Sequence, residues 1–223
     1  MSKHLVRDLE NLQRQILAMA GTVEESIYKS IQALQDHDKA IAQEVLAGDN
    51  KIDELDNAVT EECLKLLALH QPVARDLRRI ATVFMIATDL ERMGDLAADI
   101  ADRAVSLATP NKIPIPDKLP RMTDLTTSMV RQSLDSFVNQ DSKQARRVIR
   151  LDDEVDRYND EIIEELMGRM KASPDAIEPN LSLFSAVRHL ERIADHATNI
   201  AEDVLYLVDG EIVRHRHQKI ADD

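Results

Sequence analysis

The chain reads DLERMGDLAADIA over residues 89–101 and HLERIADHATNIA over residues 189–201. The two stretches align without a gap, and both keep the pattern Leu-Glu-Arg-x-x-Asp. An internal repeat sets the structural unit of a fold, because each copy is expected to form the same supersecondary element. The unit of this chain is therefore half of its length.

Each half is predicted to contain three long amphipathic helices. From Leu5 to Leu34 apolar residues recur every three or four positions, which is typical of a helix with one buried face. This period returns in five later segments, and Pro110, Pro114 and Pro116 interrupt the series because proline cannot continue a helix. We predict an all-α fold of two tandem three-helix bundles. The expected units are a first repeat at 1–109, a proline-rich linker at 110–120, a second repeat at 121–210 and a polar C-terminal tail at 211–223.

Capping residues and prolines predict several helix boundaries. Asp38 and Asp141 are expected to be the N-caps of the second and fifth helices, because an aspartate side chain accepts hydrogen bonds from first-turn amides. Pro72 is expected to open the third helix. The fourth helix is expected from Asp124, and Pro179 is expected to precede the sixth.

The second helix shows a heptad-like seam of apolar positions. Leu66 and Leu69 fall on this seam, and Gly48 and Glu62 are irregularities in it. Cys63 is next to it and is expected to be a buried, inert thiol.

The composition excludes several classes of protein. The formal net charge is −13, which argues against nucleic-acid binding because phosphates would be repelled. A single cysteine excludes an intrachain disulfide framework and fits a reducing compartment. Without an apolar run of about 18 residues or a signal segment, no direct membrane insertion is expected. We expect a cytoplasmic protein that reaches the inner membrane only through partners.

Carboxylates recur four positions apart at the edges of the predicted buried faces. Like charges at this spacing repel one another unless a cation, an arginine or solvent compensates. If the flanks of neighbouring helices face each other, four carboxylates converge in each half. Such oxygen-rich sites suit hard cations better than closed zinc geometry. Iron, manganese, magnesium and zinc are all retained as candidates, with no organic cofactor. The predicted ligands are Glu91, Asp95, Asp99, Asp49 and Asp53 in the first half, and Glu191, Asp195, Asn199, Asp152 and Asp156 in the second.

Two other interpretations of the acids stay open. They can form a solvated face that pairs with Arg92, Arg188 and Arg192, since charge runs on helices usually face solvent. A di-iron enzyme also builds carboxylates into a helical bundle, but it requires Glu-x-x-His on two helices, and the sequence contains no such motif. The chain also lacks a Gly-x-x-x-x-Gly-Lys loop and a Gly-x-Ser-x-Gly elbow, so no enzymatic activity is predicted.

Three motifs in register resemble the PhoU family of bacterial phosphate-specific transport accessory proteins. They are the two Leu-Glu-Arg-x-x-Asp copies, QPVARDLR at 71–78 and the Asp49-x-x-Ile-Asp53 pattern. The resemblance extends over residues 9–210 and includes the duplication. It implies two three-helix bundles and a homodimer.

The resemblance also implies a regulatory function. Such a protein represses the phosphate-starvation response by acting between the ATPase subunit of a phosphate ABC transporter and a phosphate-sensor histidine kinase. Family members bind metal ions through Glu/Asp-x-x-x-Asp motifs, which map onto the acid pairs named above. Asn199 replaces the third acid of its copy and offers only a neutral carbonyl. The alternative is a metal-binding scaffold or carboxylate-bridged metal enzyme unrelated to phosphate signalling.

Overall fold

The computed structural model describes residues 3–109 and 113–210, and the chain has no strand within these ranges. The predicted all-α fold is confirmed. None of the described helices is long and apolar enough to cross a bilayer. The predicted tail at 211–223 and linker positions 110–112 lie outside the described residues.

The helices are α1 (Lys3–Asp36), α2 (Lys39–His70), α3 (Ala74–Leu107), α4 (Leu119–Asn139), α5 (Ser142–Ala172) and α6 (Ile177–Asp209), with a 3-10 turn at Pro174–Ala176 before α6.

Two aspartates begin helices as predicted. The Asp38 carboxylate accepts from the amides of Ala40 at 2.8 Å and Ile41 at 3.2 Å, at the start of α2. Asp141 does the same at the start of α5. These contacts satisfy amides that have no partner inside the helix, so both capping predictions are confirmed.

Three predicted boundaries beside prolines are wrong. Helix α3 begins at Ala74, so Pro72 lies in the preceding turn instead of opening the helix. Helix α4 begins at Leu119, five residues before Asp124, and α6 has Pro179 inside its first turn. Proline is tolerated in a first helical turn because the amide that it lacks has no intrahelical partner there. Burial of Leu119 anchors the added turn of α4.

The buried seam of α2 differs from the predicted heptad. Cys63 and Leu66 are fully buried, whereas Leu69 is 66% exposed and Glu62 is only partly buried. One series of the heptad, Val45, Ile52, Val59 and Leu66, is buried throughout. The alternate series, which includes Leu55, Glu62 and Leu69, is partly buried or exposed, so the buried face of α2 is narrower than the predicted seam. The prediction for Cys63 is confirmed, because burial raises the pKa of its thiol to about 12 and leaves little reactive thiolate at neutral pH.

The six helices form two bundles that pack side by side. Helices α1, α2 and α3 pack against one another, as do α4, α5 and α6. Helix α3 packs along α6, and α1 contacts α4, which joins the bundles. The two Leu-Glu-Arg-x-x-Asp helices therefore lie together at the centre of the molecule.

A polar contact lies inside this α3–α6 interface. Asp89 on α3 is 7% exposed. His196 Nδ1 donates to its carboxylate at 2.8 Å, and the Asn199 amide donates at 3.2 Å. Buried polar groups need such partners, so these bonds fix the rotation and register of α3 against α6.

Candidate metal centre

Carboxylates from α2 and α3 meet at the edge of the first bundle. Asp53 on α2 and Glu91 and Asp95 on α3 each place one oxygen so that the three lie within 4.8 Å of one another. We call these three residues the first acidic cluster. Each acid directly follows a buried position of its helix, and these buried positions pack α2 against α3. Within the described ranges, no other set of three acidic, histidine or cysteine side chains converges in this way.

A glycine permits the close approach of the two helices at this cluster. A Cβ on Gly94 would lie only 2.9 Å from Cδ1 of Ile52 and 3.1 Å from its Cγ2. Glycine therefore makes room for the buried Ile52 side chain on α2. The residues that follow this contact are Asp53 and Asp95, so the local packing brings the two carboxylates together.

The cluster carries more negative charge than its surroundings neutralise. Burial raises the pKa of Glu91, and the charge of Asp95 raises it further. Burial likewise raises the pKa of Asp95, and Asp53 adds to the effect. Arg92 opposes both shifts, with Nε 3.4 Å from Glu91 and Nη1 3.7 Å from Asp95. This arginine is 59% exposed, and a solvated ion pair offsets only part of the repulsion.

Two further acids of α2 flank the cluster. Burial raises the pKa of Asp49, and the charges of Asp95 and Asp53 raise it further. Asp56 shows the same direction of shift, and its buried Oδ1 has no hydrogen-bond partner among the described residues. Sequence reasoning missed Asp56. Its position seven residues after Asp49 was the available signal, because that spacing returns to one helix face.

The second bundle carries a related group on α5 and α6, formed by Asp156, Glu191 and Asp195. Burial raises the pKa of all three side chains, and Asp156 raises the pKa of both acids on α6. Glu191 accepts a hydrogen bond from Arg188 at 3.0 Å, while its buried Oε2 has no partner among the described residues. Thr88 stands at the position equivalent to Arg188 in the first repeat. The second group therefore has an arginine partner, Arg188, at a position where the first cluster has none.

The remaining predicted ligands lie away from these two groups or at their edges. Asn199 donates to Asp89 across the bundle interface instead of joining Glu191 and Asp195. Asp99 is exposed and lies 3.8 Å from His189 Nδ1 on α6, although its charge still raises the pKa of Asp49. Asp152 is partly buried on α5, one turn before Asp156.

The chemistry of the first cluster fits a hard cation. Its donors are carboxylate oxygens, which Mg²⁺, Mn²⁺ and iron accept readily. Burial and mutual repulsion together raise the pKa values of Glu91, Asp95 and Asp49, and a bound cation would relieve the repulsion. Asp56 presents an unpartnered buried oxygen beside these acids. Asp53, Glu91 and Asp95 are therefore the residues that would hold an ion. The second group offers a weaker case, since Arg188 already neutralises Glu191.

Fold and site together define a class, namely a duplicated helical-bundle protein with an acidic edge on each bundle. The PhoU domain model matches the chain twice, at residues 16–104 and 119–204. The chain belongs to the PhoU family, as its motifs suggested.

Similar proteins and solved structures agree with this assignment. The chain is 40% identical over 215 residues to the Aquifex aeolicus phosphate-specific transport system accessory protein PhoU homolog, covering 96% of this chain and 97% of that protein. It is 38% identical to the homolog in Pseudomonas aeruginosa, and the match covers 96% of this chain and 89% of that protein. The crystal structure of PhoU from Pseudomonas aeruginosa superposes with a TM-score of 0.89 over 92% of this chain and 99% of that one, at 38% identity. The crystal structure of the phosphate transport system regulatory protein PhoU from Streptococcus pneumoniae superposes with a TM-score of 0.88. The match covers 94% of this chain and 99% of that chain, at 31% identity.

Proposed function

We propose that this protein is a cytoplasmic regulatory adaptor of phosphate transport, not an enzyme, and that it represses the phosphate-starvation response. It acts as a homodimer between the ATPase subunit of a phosphate ABC transporter and a phosphate-sensor histidine kinase. Metal ions bind its acidic clusters and form part of the contact with these partners.

The family supports the coarser part of this proposal, because relatives are named accessory or regulatory proteins of phosphate transport. The observation that carries the finer part is the first acidic cluster. Three carboxylates converge at the edge of a rigid bundle, and the pKa values of two of them, Glu91 and Asp95, are raised. Such a group attracts cations and basic protein surfaces. The formal charge of −13 extends this preference to the whole surface.

Metal binding is tested by elemental analysis of the purified protein after incubation with iron, manganese, magnesium or zinc. The wild type is compared with a variant that combines Glu91→Gln and Asp95→Asn. We expect the wild type to retain metal and the variant to lose it, because two of the three converging carboxylates are gone.

A matched control removes two charges elsewhere on the same bundle. Glu54 and Glu61 are exposed on α2, so Glu54→Gln with Glu61→Gln lowers the charge equally without touching the cluster. This control is expected to keep the metal content of the wild type. Equal metal content in all three proteins would reject the cluster as a metal site and leave the family role untouched.

The adaptor function is tested by affinity measurements with the purified sensor kinase and the purified transporter ATPase. Reversing the charges by Glu91→Lys with Asp95→Lys is expected to weaken binding to at least one partner while the helical circular dichroism signal is kept. Unchanged affinity for both partners would exclude the acidic edge as the docking surface.

A further inference from the structure

A groove beside the second acidic group is lined by several basic side chains. It lies between the end of α3 and the first half of α6 and has a volume of about 700 Å³. Three arginines line it together with the carboxylate of Glu178. Three further acids lie at its edge, each beside one of the basic side chains: Asp102, Glu191 and Asp99. We call it the basic groove; its lining includes Arg103, Arg188, Arg192, His189, Ser182 and Ser185.

The positive charges converge on one point of the groove. Burial lowers the pKa of the His189 imidazole, and the charges of Arg192 and Arg103 lower it further, although Asp99 opposes them. Both guanidinium groups therefore lie close to the same ring. Ser185 Oγ lies 3.1 Å from His189 Nε2 and places a hydroxyl beside it.

The arginines stay available to a ligand. Arg103 pairs with Asp102 at 3.0 Å and Arg188 with Glu191 at 3.0 Å. Both arginines remain more than a third exposed, and a guanidinium has five N–H donors, so one carboxylate leaves several free. Within the described ranges, Arg192 has no ion pair or side-chain hydrogen bond.

The internal repeat shows that this charge is not a property of the fold. Thr88 and Asp89 of the first repeat stand at the positions equivalent to Arg188 and His189. Asp203 of the second repeat stands at the position equivalent to Arg103. Only Arg92 corresponds to Arg192. By the repeat, the positions equivalent to the three arginines and Glu178 that line the basic groove therefore hold Thr88, Arg92, Asp203 and Arg78.

We propose that the basic groove binds a phosphorylated small molecule, either a phosphate ester or a polyphosphate. Guanidinium groups bind phosphoryl oxygens in a bidentate manner, and serine hydroxyls donate to the same oxygens. The groove is larger than one inorganic phosphate requires. Leu181, which is 55% exposed, and Phe184 form an apolar wall that suits the organic part of an ester.

The test is isothermal titration calorimetry of the full chain with ATP, tripolyphosphate and inorganic phosphate, in the presence of chelator so that the acidic clusters hold no metal. Arg103→Gln with Arg192→Gln is compared with the wild type, and Arg192→Gln alone covers the case in which the double variant does not fold. ATP or tripolyphosphate is expected to bind, with about a tenfold loss of affinity for each arginine removed. Binding of ATP alone indicates contact with the apolar wall; equal binding of tripolyphosphate places recognition on the phosphates.

Arg92→Gln is the matched control, because it removes the equivalent arginine of the first repeat. This variant is expected to bind like the wild type. The proposal is overturned if no probe binds at millimolar concentration, if the groove variants bind like the wild type, or if Arg92→Gln loses as much affinity. None of these results depends on the kinase or transporter contacts.

Discussion

At the residue scale, the two repeats differ in how their acids are compensated. Glu191 pairs with Arg188, which adds a cation to the second group. The first cluster has only the exposed Arg92 beside it. The first cluster is thus the stronger candidate for an external cation, because its repulsion is less relieved within the protein.

Because Glu91 and Asp95 repel each other, they are predicted to destabilise the metal-free protein. In chelator at pH 7, Glu91→Gln with Asp95→Asn is expected to raise Tm by about 1–3 °C, because the repulsion is removed at a partly solvated site. Thermal unfolding followed by circular dichroism measures this effect. A lower Tm for the variant would contradict the interpretation of the cluster as electrostatically strained.

The pH dependence of this effect has a definite sign. The pKa values of Glu91 and Asp95 are raised in the folded state, so the native protein holds more protons than the unfolded chain as pH rises above the ordinary carboxyl range. Wild-type stability therefore falls through this window, from about pH 4 upward, more steeply than that of the variant. At about pH 3 both states are protonated, and the difference between the proteins is expected to shrink.

At the scale of the helices, the contact between Gly94 and Ile52 sets the distance between α2 and α3. The second repeat has Ala194 at the equivalent position, which shows that the repeats need not share this spacing. Among the described residues, only the first repeat brings three carboxylate oxygens within 4.8 Å of one another.

Gly94→Ala is expected to lower the free energy of unfolding by about 1 kcal/mol. Alanine favours a helix by about 1 kcal/mol, but overpacking a core costs about 1–3 kcal/mol. Ile52→Val removes the Cδ1 atom that would collide, so the double variant is expected to be more stable than the sum of the single effects allows. Urea unfolding measures this coupling.

Gly168→Ala is the control for helix propensity. Gly168 lies on α5 with open space around its Cβ direction, so alanine there is expected to stabilise by up to about 1 kcal/mol. Strict additivity of Gly94→Ala and Ile52→Val would show that the contact does not set the helix spacing.

At the scale of the whole molecule, the bundles are joined along α3 and α6, and the two ends of this interface differ. Asp89 is buried and bound by His196 and Asn199. The pseudo-equivalent pair, His189 and Asp99, is only an ion pair at 3.8 Å with the carboxylate exposed. The buried polar contact that joins the bundles, Asp89 with His196 and Asn199, therefore lies at one end of the α3–α6 interface.

Asp89→Ala is expected to destabilise the protein by about 2–3 kcal/mol, because it leaves two polar side chains without their partner inside the interface. Asp99→Ala removes the equivalent exposed acid and is expected to change stability by less than about 0.5 kcal/mol. Urea unfolding of both variants tests the difference. Equal effects would mean that burial of Asp89 does not matter for joining the bundles.

Much of the fold could be predicted from local patterns. The three-and-four spacing of apolar residues indicates helices, Asp38 and Asp141 mark where two of them begin, and the repeated Leu-Glu-Arg-x-x-Asp stretch indicates the duplication. The errors lie where one residue type serves two roles. Proline ends many helices, yet Pro179 is accepted in the first turn of α6. Leu69 continues the heptad at the end of α2 but is exposed, because only one of the two heptad series faces the core.

The sequence by itself determined the helices, their buried faces, the duplication and the acids that border each face, because all of these follow from a period of 3.6 residues. Only the tertiary structure decided which acids meet. The rotation and spacing of α2 against α3 bring Asp53 to Glu91 and Asp95, while the α3–α6 contact turns Asn199 toward Asp89. The basic groove likewise exists only after folding, since Arg103 is far in sequence from Arg188 and Arg192. Contacts between distant segments depend on how whole faces pack, and no local period encodes that.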